Sequence, residues 1–335
     1  MDELIFFINK VMVPGFVTGS IYALGGIGVT LIFGILRFAH FAHGDLMTTG
    51  AFFSYLLAGA LSAVGIVLPV PLGFAVLPLA MVLTALLALW IDANFYQPLR
   101  DRGARPITLL IASIGVTLMI QGLTRLIFGS GTRDFFGRAE PKDIFRIDLG
   151  FLGGSRPVVV TEPQVLMFIV VIIAVVALHL FLTRSRLGKA MRAMADNADL
   201  AQVSGINTKV VVVVTWVIAG ALAALAGTML ALDVNLRPDL AFNIVLPIFA
   251  AAIVGGLGNS YGAIAGGMLI GFAESLAVFN WTAVLRPFGS LLPAGLELPV
   301  NLAIVPTEYK LTVAFVILVI TLLFRPTGIF KGAST

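Results

Sequence analysis

Residues 163–183 read PQVLMFIVVIIAVVALHLFLT. The run carries one imidazole and no formal charge. A helix that crosses a bilayer needs roughly 20 mostly apolar residues, and this run has that length. The next segment, 184–209, reads RSRLGKAMRAMADNADLAQVSGINTK. It sets Arg184, Arg186, Lys189, Arg192 and Lys209 against Asp196 and Asp199. An apolar span ending in a basic loop is the pattern of a membrane helix that leaves the bilayer on its cytoplasmic side.

The composition extends this reading to the whole chain. Of 335 residues, 59% are hydrophobic and 11% charged, against about 25% charged in a soluble domain. Such a chain cannot clothe a water-facing surface, so an all-α polytopic membrane protein is expected. The 25 Phe and 35 Gly suit lipid-facing and helix-packing roles. With no Cys, disulfides and thiolate metal sites are excluded. The net charge of +4 reflects loop Lys and Arg rather than a nucleic-acid footprint. The opening MDELIFFINK places two acids before its first base. That is not a basic signal-peptide n-region, so the first span is expected to stay in the mature protein.

Candidate spans lie at about 11–35, 44–63, 68–91, 107–128, 163–183, 210–231, 261–279 and 309–324. The piece 244–257 is too short to cross and reads as a half-span or re-entrant helix. The expectation is eight transmembrane helices plus one short helix in a single domain, 1–335. Bases gather in 92–106 (Arg100, Arg102, Arg105), in 184–209 and in the tail (Arg325, Lys331). Placing these inside puts the N-terminus outside and the C-terminus in the cytoplasm. The 130–162 loop then falls outside, its bases balanced by as many acids. An inverted repeat is expected, 11–128 against 210–324, with 163–183 as the extra crossing. In each half an irregular linker, RFAHFAHGDL or LDVNLRPDLAFN, ends in an Asp placed to cap the next helix.

No nucleotide-binding or hydrolytic motif is present: no G-x-x-x-x-G-K-[ST], G-x-S-x-G or H-E-x-x-H. The chain is therefore not expected to be an enzyme. Within 184–209, Asn197 or Asp196 can cap a short helix with Asp199 in its first turn, and Gly205 can end it in the left-handed conformation. Leu200 and Val203 share a face, with Ile206 just beyond. Two accounts stand: a knob for a partner's groove, or an interfacial helix on the headgroups.

In RFAHFAHGD (37–45) two of the three histidines, His40 and His43, lie three apart. Zinc needs a third and usually a fourth ligand, so a metal site is not expected. The stretch reads better as a backbone junction. Arg37 marks the inner end of the first span, Gly44 breaks the helix, and Asp45 caps the next one. Between Gly255 and Gly271, small residues at four-residue spacing favour close helix packing over a substrate-lining role. Of the ionisable residues in spans, His179 and Arg125 are close enough to interfaces to snorkel. Glu274 is either a buried structural carboxylate or a pore residue.

The loop resembles the coupling loop of permeases of branched-chain amino-acid ABC importers. The pattern R-A-x-x-x-(N/D)-x-x-x-A-x-x-x-G-I-(N/D) is matched by Arg192, Ala193, Asn197, Ala201, Gly205, Ile206 and Asn207. AGALAALAGTMLA (219–231), AAAIVGGLGNSYGAIAGGMLIGFAE (250–274), FRPTGIF (324–330) and the stretch 19–52 are similar to family segments in the same order. The N-F-A-H-G-(E/D) motif is matched from Phe41 to Asp45, with His40 in place of the asparagine, so the two histidines are not expected to act as a pair. The segment 280–308, rich in proline and turn residues, is longer than the family leads one to expect.

The resemblance implies a bacterial inner-membrane permease without a cofactor of its own. It would pair with a second homologous permease subunit, two cytoplasmic ATPase subunits carrying ATP and Mg, and a periplasmic substrate-binding protein. It also implies a translocation path or gate, with His43, Gly44, Asp45 and Thr48 on one side and Asn243 and Glu274 opposite. The coupling set would be Arg192, Asn197, Asp199, Ala201, Gly205 and Ile206. Urea or short amides are alternative substrates within the family. An ion-coupled secondary transporter using Asp45 and Glu274, or a passive channel for a neutral solute, are the alternatives outside it.

Overall fold

The computed structural model describes residues 2–66, 68, 70–136, 144–147, 157–286 and 299–330. Six helical runs are long and apolar enough to cross a membrane: Asp2–Leu36, His43–Ala63, Leu77–Asp101, Pro106–Phe128, Glu162–Arg184 and Thr208–Asp233. The chain is a polytopic helical membrane protein. The first run comprises α1 (Asp2–Phe7), a π-turn over Ile8–Met12 and α2 (Val13–Leu36). Then come α3 (His43–Ala63), α4 (Leu72–Ala75), α5 (Leu77–Ile91), a second π-turn, α6 (Gln97–Asp101) and α7 (Pro106–Phe128). A two-stranded antiparallel ribbon, β1 (Ile144–Ile147) and β2 (Val158–Thr161), leads into α8 (Glu162–Arg184). Three helices carry the basic loop into the second half: α9 (Arg186–Asp196), α10 (Ala198–Val203) and α11 (Thr208–Asp233). The rest are α12 (Phe242–Gly255), α13 (Ser260–Ala277), α14 (Thr282–Leu285) and α15 (Thr312–Phe324).

All nine expected apolar segments are helical, but their lengths differ from the expectation of eight full spans. The first helix begins at Asp2, nine residues early, because the π-turn carries it past Lys10. The third begins at Leu77 rather than 68, where Pro78 in the first turn starts a new helix after Val76. α15 has 13 residues, about 20 Å at 1.5 Å per residue, against a hydrocarbon core of about 30 Å. It starts only after the turn Thr307–Tyr309 and ends at Arg325, before Pro326. With α12 at 14 residues, the described residues hold two short apolar helices, α12 and α15, rather than one.

α2 is the axis of the bundle, buried along almost its whole length. It packs on α13 backbone to backbone: a Cβ on Gly271 would overlap the Gly19 backbone, and one on Gly267 would overlap Ala23. α12 and α13 meet the same way, through Gly266 against the Ala251 carbonyl. This is the small-residue packing expected of the glycine run. Gly258 (φ 87°) turns the chain between these helices, and Asn259 caps α13 by accepting from Tyr261 and Gly262 N–H at 3.0 and 3.1 Å. Apolar residues of α7, α8 and α15 point outward, among them Leu126, Ile173 and Leu323.

The ends of the bundle are chemically unlike. At one end, a cavity of about 510 Å³ lies between Ile35, Leu36, Asp92, Arg100, Met194 and Lys209. The tail closes there too: Ile329 and Phe330 N–H donate to the last carbonyls of α12, Val254 and Gly255, at 2.8 and 3.1 Å. Another face joins the first helix to β2 through Asn9, which bonds Pro157 and Val159. Residues 280–286 and 299–305 fold back on Ala277 (Val305 N–H to its carbonyl, 2.9 Å), and Phe279 and Trp281 pack against Phe6 and Phe7 in tilted and edge-on contacts. Within the long 280–308 segment, 287–298 lie outside the described residues. So do 137–143 and 148–156 of the 130–162 loop, and Lys331.

Candidate functional site

α2 ends at Arg37, which takes the left-handed conformation (φ 57°, ψ 30°). Among the described residues it is the one non-glycine with positive φ. Phe38–Ala42 then double back, and His43 N–H donates to His40 O at 3.2 Å as α3 begins. A Cβ on Gly28 would overlap the His43 imidazole. Gly28 precedes Arg37 by nine residues, about 13 Å of helix. α3 therefore starts well inside the bundle, not at the inner edge that Arg37 marks.

Two sequence expectations are corrected here. Gly44 does not break the helix: it is the second residue of α3, and Arg37 makes the break. A Cβ on Gly44 would press on Ala241 O at 3.0 Å and Val245 at 3.1 Å, so its smallness serves the approach of α12. Asp45 does not cap α3 through its side chain. Ala42 holds the N-cap position, and Asp45 is buried in the first turn, where a carboxylate still favours the helix dipole. It faces Thr117 and Gln121 on α7. Gln121 in turn accepts from Arg125 at 3.2 Å. In the second linker, Asp239 likewise fails to cap: α12 starts after Ala241 with no side-chain cap.

The two irregular linkers meet at Thr48. Its hydroxyl donates to Gly44 O at 3.2 Å and accepts from Ala241 N–H at 3.1 Å. The N-terminal ends of α3 and α12 are thus tied together inside the bundle. Asn243 lies on the exposed side of the first turn of α12, its amide 3.4 Å from Asp239 O.

Glu274 is not with this group. It is fully buried between α2, α13 and the start of α15, accepting from Tyr22 Oη at 3.1 Å with Lys310 Nζ 3.7 Å away. Both of these partners, Tyr22 and Lys310, are groups of the bundle itself.

His40 occupies an aromatic box. Its ring centroid is 4.9 Å from Trp216, 5.3 Å from Tyr96, 6.0 Å from Phe38 and 6.3 Å from His43. The two imidazoles are therefore spatial neighbours. Tyr96 and Trp216 stack at 5.4 Å. The ring nitrogens of both histidines, Tyr96 Oη, Trp216 Nε1 and the Asp45 carboxylate are all buried, the His43 ring beside the Gly25 backbone and Asp45 beside Thr117 and Gln121. Burying polar groups is costly, so their concentration here marks a candidate site. Sequence reasoning missed Tyr96, Trp216, Thr117 and Gln121, which look like ordinary span residues until the helices are packed. Among the described residues, no three His, Asp or Glu side chains converge as metal ligands.

In the basic loop, α9 is capped by Ser185, which accepts from Gly188 N–H at 2.8 Å. α10 is capped by Asn197, which accepts from Leu200 N–H at 2.9 Å, with Asp199 in its first turn. Gly205 (φ 85°) ends it as expected. Ala201 is buried and pins α10 to the bundle, Ile206 is half-buried, and Arg192, Asn197 and Asp199 are exposed. Leu200 and Val203 stand out at 63% and 86% exposure, leaving α10 an uncovered apolar face.

A family described as "Branched-chain amino acid transport system / permease component" matches residues 11–322. The chain belongs to this family. The high-affinity branched-chain amino acid transport system permease protein BraD of Pseudomonas aeruginosa is 31% identical over 333 residues, 98% of this chain and 97% of its own. The corresponding LivH protein of Escherichia coli is 32% identical over 334 residues, 98% and 96% of the two chains. A ribose import permease protein of Escherichia coli is 28% identical over 172 residues, 49% of this family member and 51% of its own. No solved structure matches.

Proposed function

We propose that this chain is the transmembrane permease subunit of a binding-protein-dependent ABC importer that carries branched-chain or related amino acids inward. The observation that carries the reading is similarity over nearly the full chain to permeases named for branched-chain amino acid transport. The partners proposed are a second homologous permease subunit, two cytoplasmic ATPase subunits that bind and hydrolyse ATP, and a periplasmic binding protein. The chain itself does no covalent chemistry.

The sidedness proposed puts the N-terminus outside and the C-terminus in the cytoplasm. In support, Arg100 and Lys209 share one end of the bundle with the end of α9, as the bias of cytoplasmic loops toward bases requires. Two inverted repeats, 11–128 and 210–324, joined through 163–183, fit the paired helix–linker–helix units that meet at Thr48 and Ala241.

His43, Gly44, Asp45 and Thr48 form the gate, at the junction of two helix N-termini inside the membrane. Thr48 ties the two helix starts together, and the buried His43 and Asp45 side chains beside it can offer a passing zwitterion weak, transient hydrogen bonds. Asn243 lies beside the gate, on the exposed side of α12. α10 is the coupling helix, its exposed Leu200 and Val203 seated in an ATPase groove, with Arg192, Asn197, Asp199, Ala201, Gly205 and Ile206 setting its shape and charge. That Asp45 and Glu274 occupy separate clusters counts against an ion-coupled carboxylate pair.

The test is reconstitution into proteoliposomes. Leucine uptake is expected only with the ATPases, the loaded binding protein and ATP all present. Uptake by this chain alone under a proton gradient would overturn the proposal.

A further inference from the structure

The basic loop and the gate lie at different depths, and one side chain joins them. Arg37 Nη2 donates to Ala195 O at 2.5 Å. Ala195 is in the last turn of α9, whose final carbonyls have no partner within the helix and where a cation is favoured. Two residues later Asn197 caps α10. α9 also rides on α2 directly, because Gly34 leaves room for Gly258 and Ala195 at 3.4 and 4.0 Å from where its Cβ would be. On its other side, Arg37 is the residue that reverses the chain. Its left-handed backbone is one that side chains other than Asn and Asp rarely adopt. Beyond it, Phe38 packs on Tyr96 at 5.2 Å, and the next residues carry His40 and His43.

The geometry points to Arg37 as the positioning residue that transmits movement of the α9–α10 loop to the gate. This rests on the importer reading above. A pull on α9 displaces the guanidinium, and the short segment Phe38–Ala42 passes the displacement to the start of α3. A bystander Arg, only snorkelling toward the headgroups, would be replaceable by Lys.

The test is the ATP hydrolysed per leucine imported by the reconstituted complex. Arg37→Asn tolerates the left-handed backbone and lacks the guanidinium. Loss of a charge-assisted hydrogen bond is expected to raise the ratio about tenfold or more, while hydrolysis stimulated by the binding protein persists. A wild-type ratio in Arg37→Asn overturns the inference, even if both rates fall together. Arg37→Lys keeps the charge but not the planar fork and is expected to give an intermediate ratio. If Arg37→Asn does not assemble, Arg37→Lys decides: a wild-type ratio there overturns the inference as well. Absence of ATP-driven import by the unmodified complex would instead fail the functional reading, so the two failures are told apart.

Discussion

The break between α2 and α3, inside the bundle, and the turn between α12 and α13, at its end, are both chain reversals, built on opposite terms. At the α12–α13 turn every demand is met locally. Glycines take the positive φ values, Asn259 caps two N–H groups, the tail N–H groups cap the last carbonyls of α12, and backbones touch across Gly266 and Ala251. At the α2–α3 break a non-glycine takes the positive φ, the N-cap has no side-chain oxygen, and buried imidazole, indole, phenol and carboxylate groups crowd together. A satisfied reversal is a fixed part. One lined with buried polar side chains holds groups that can exchange partners, as a gate needs. Stability should therefore reside in the first region and function in the second.

Four substitutions would break or sharpen that contrast, in descending order of effect on stability. Gly271→Val drives a side chain into the Gly19 backbone. It should cost about 3 kcal/mol or more, seen as loss of monodisperse protein in detergent. Glu274→Ala leaves Tyr22 and Lys310 without their buried partner. It should lower stability by about 2 kcal/mol, read as a reduced thermal midpoint, with import per folded molecule kept. Gly205→Val strains the left-handed turn after α10 by about 1 kcal/mol or more. The variant should insert and hydrolyse ATP but import poorly, and normal coupled import would show that the loop is not the transmission element. His40→Phe keeps the aromatic box and removes two buried nitrogens that make no hydrogen bond. Its stability should stay within about 1 kcal/mol of wild type, while its import rate falls. A large loss of stability there would erase the contrast.

The positions of the helices were legible because each is a long apolar run, and so was the α10 cap, because Asn197, Asp199 and Gly205 are local signals. The glycine seam was legible as a pattern, though not its partners. The reversal at Arg37 was not legible. Gly44 looked like the breaker, but the chain uses its missing side chain for packing on α12 and forces an arginine into the left-handed region. A local rule fails there because a distant carbonyl, on Ala195, holds the arginine in place. The Glu274–Lys310 pair and the box around His40 are contacts between residues far apart in sequence, and one sequence without its fold carries no signal for them. Helix ends were misjudged where a π-turn or a proline, rather than hydropathy, decides them.

The central claim is that the joined N-termini of α3 and α12 line the path. The chain has no cysteine, so Thr48→Cys can be labelled alone with a membrane-impermeant thiol reagent in the reconstituted complex. Thr48 is 1% exposed, so little labelling is expected at rest. Labelling should rise when ATP and the loaded binding protein drive turnover. The same low labelling in every state would contradict the account.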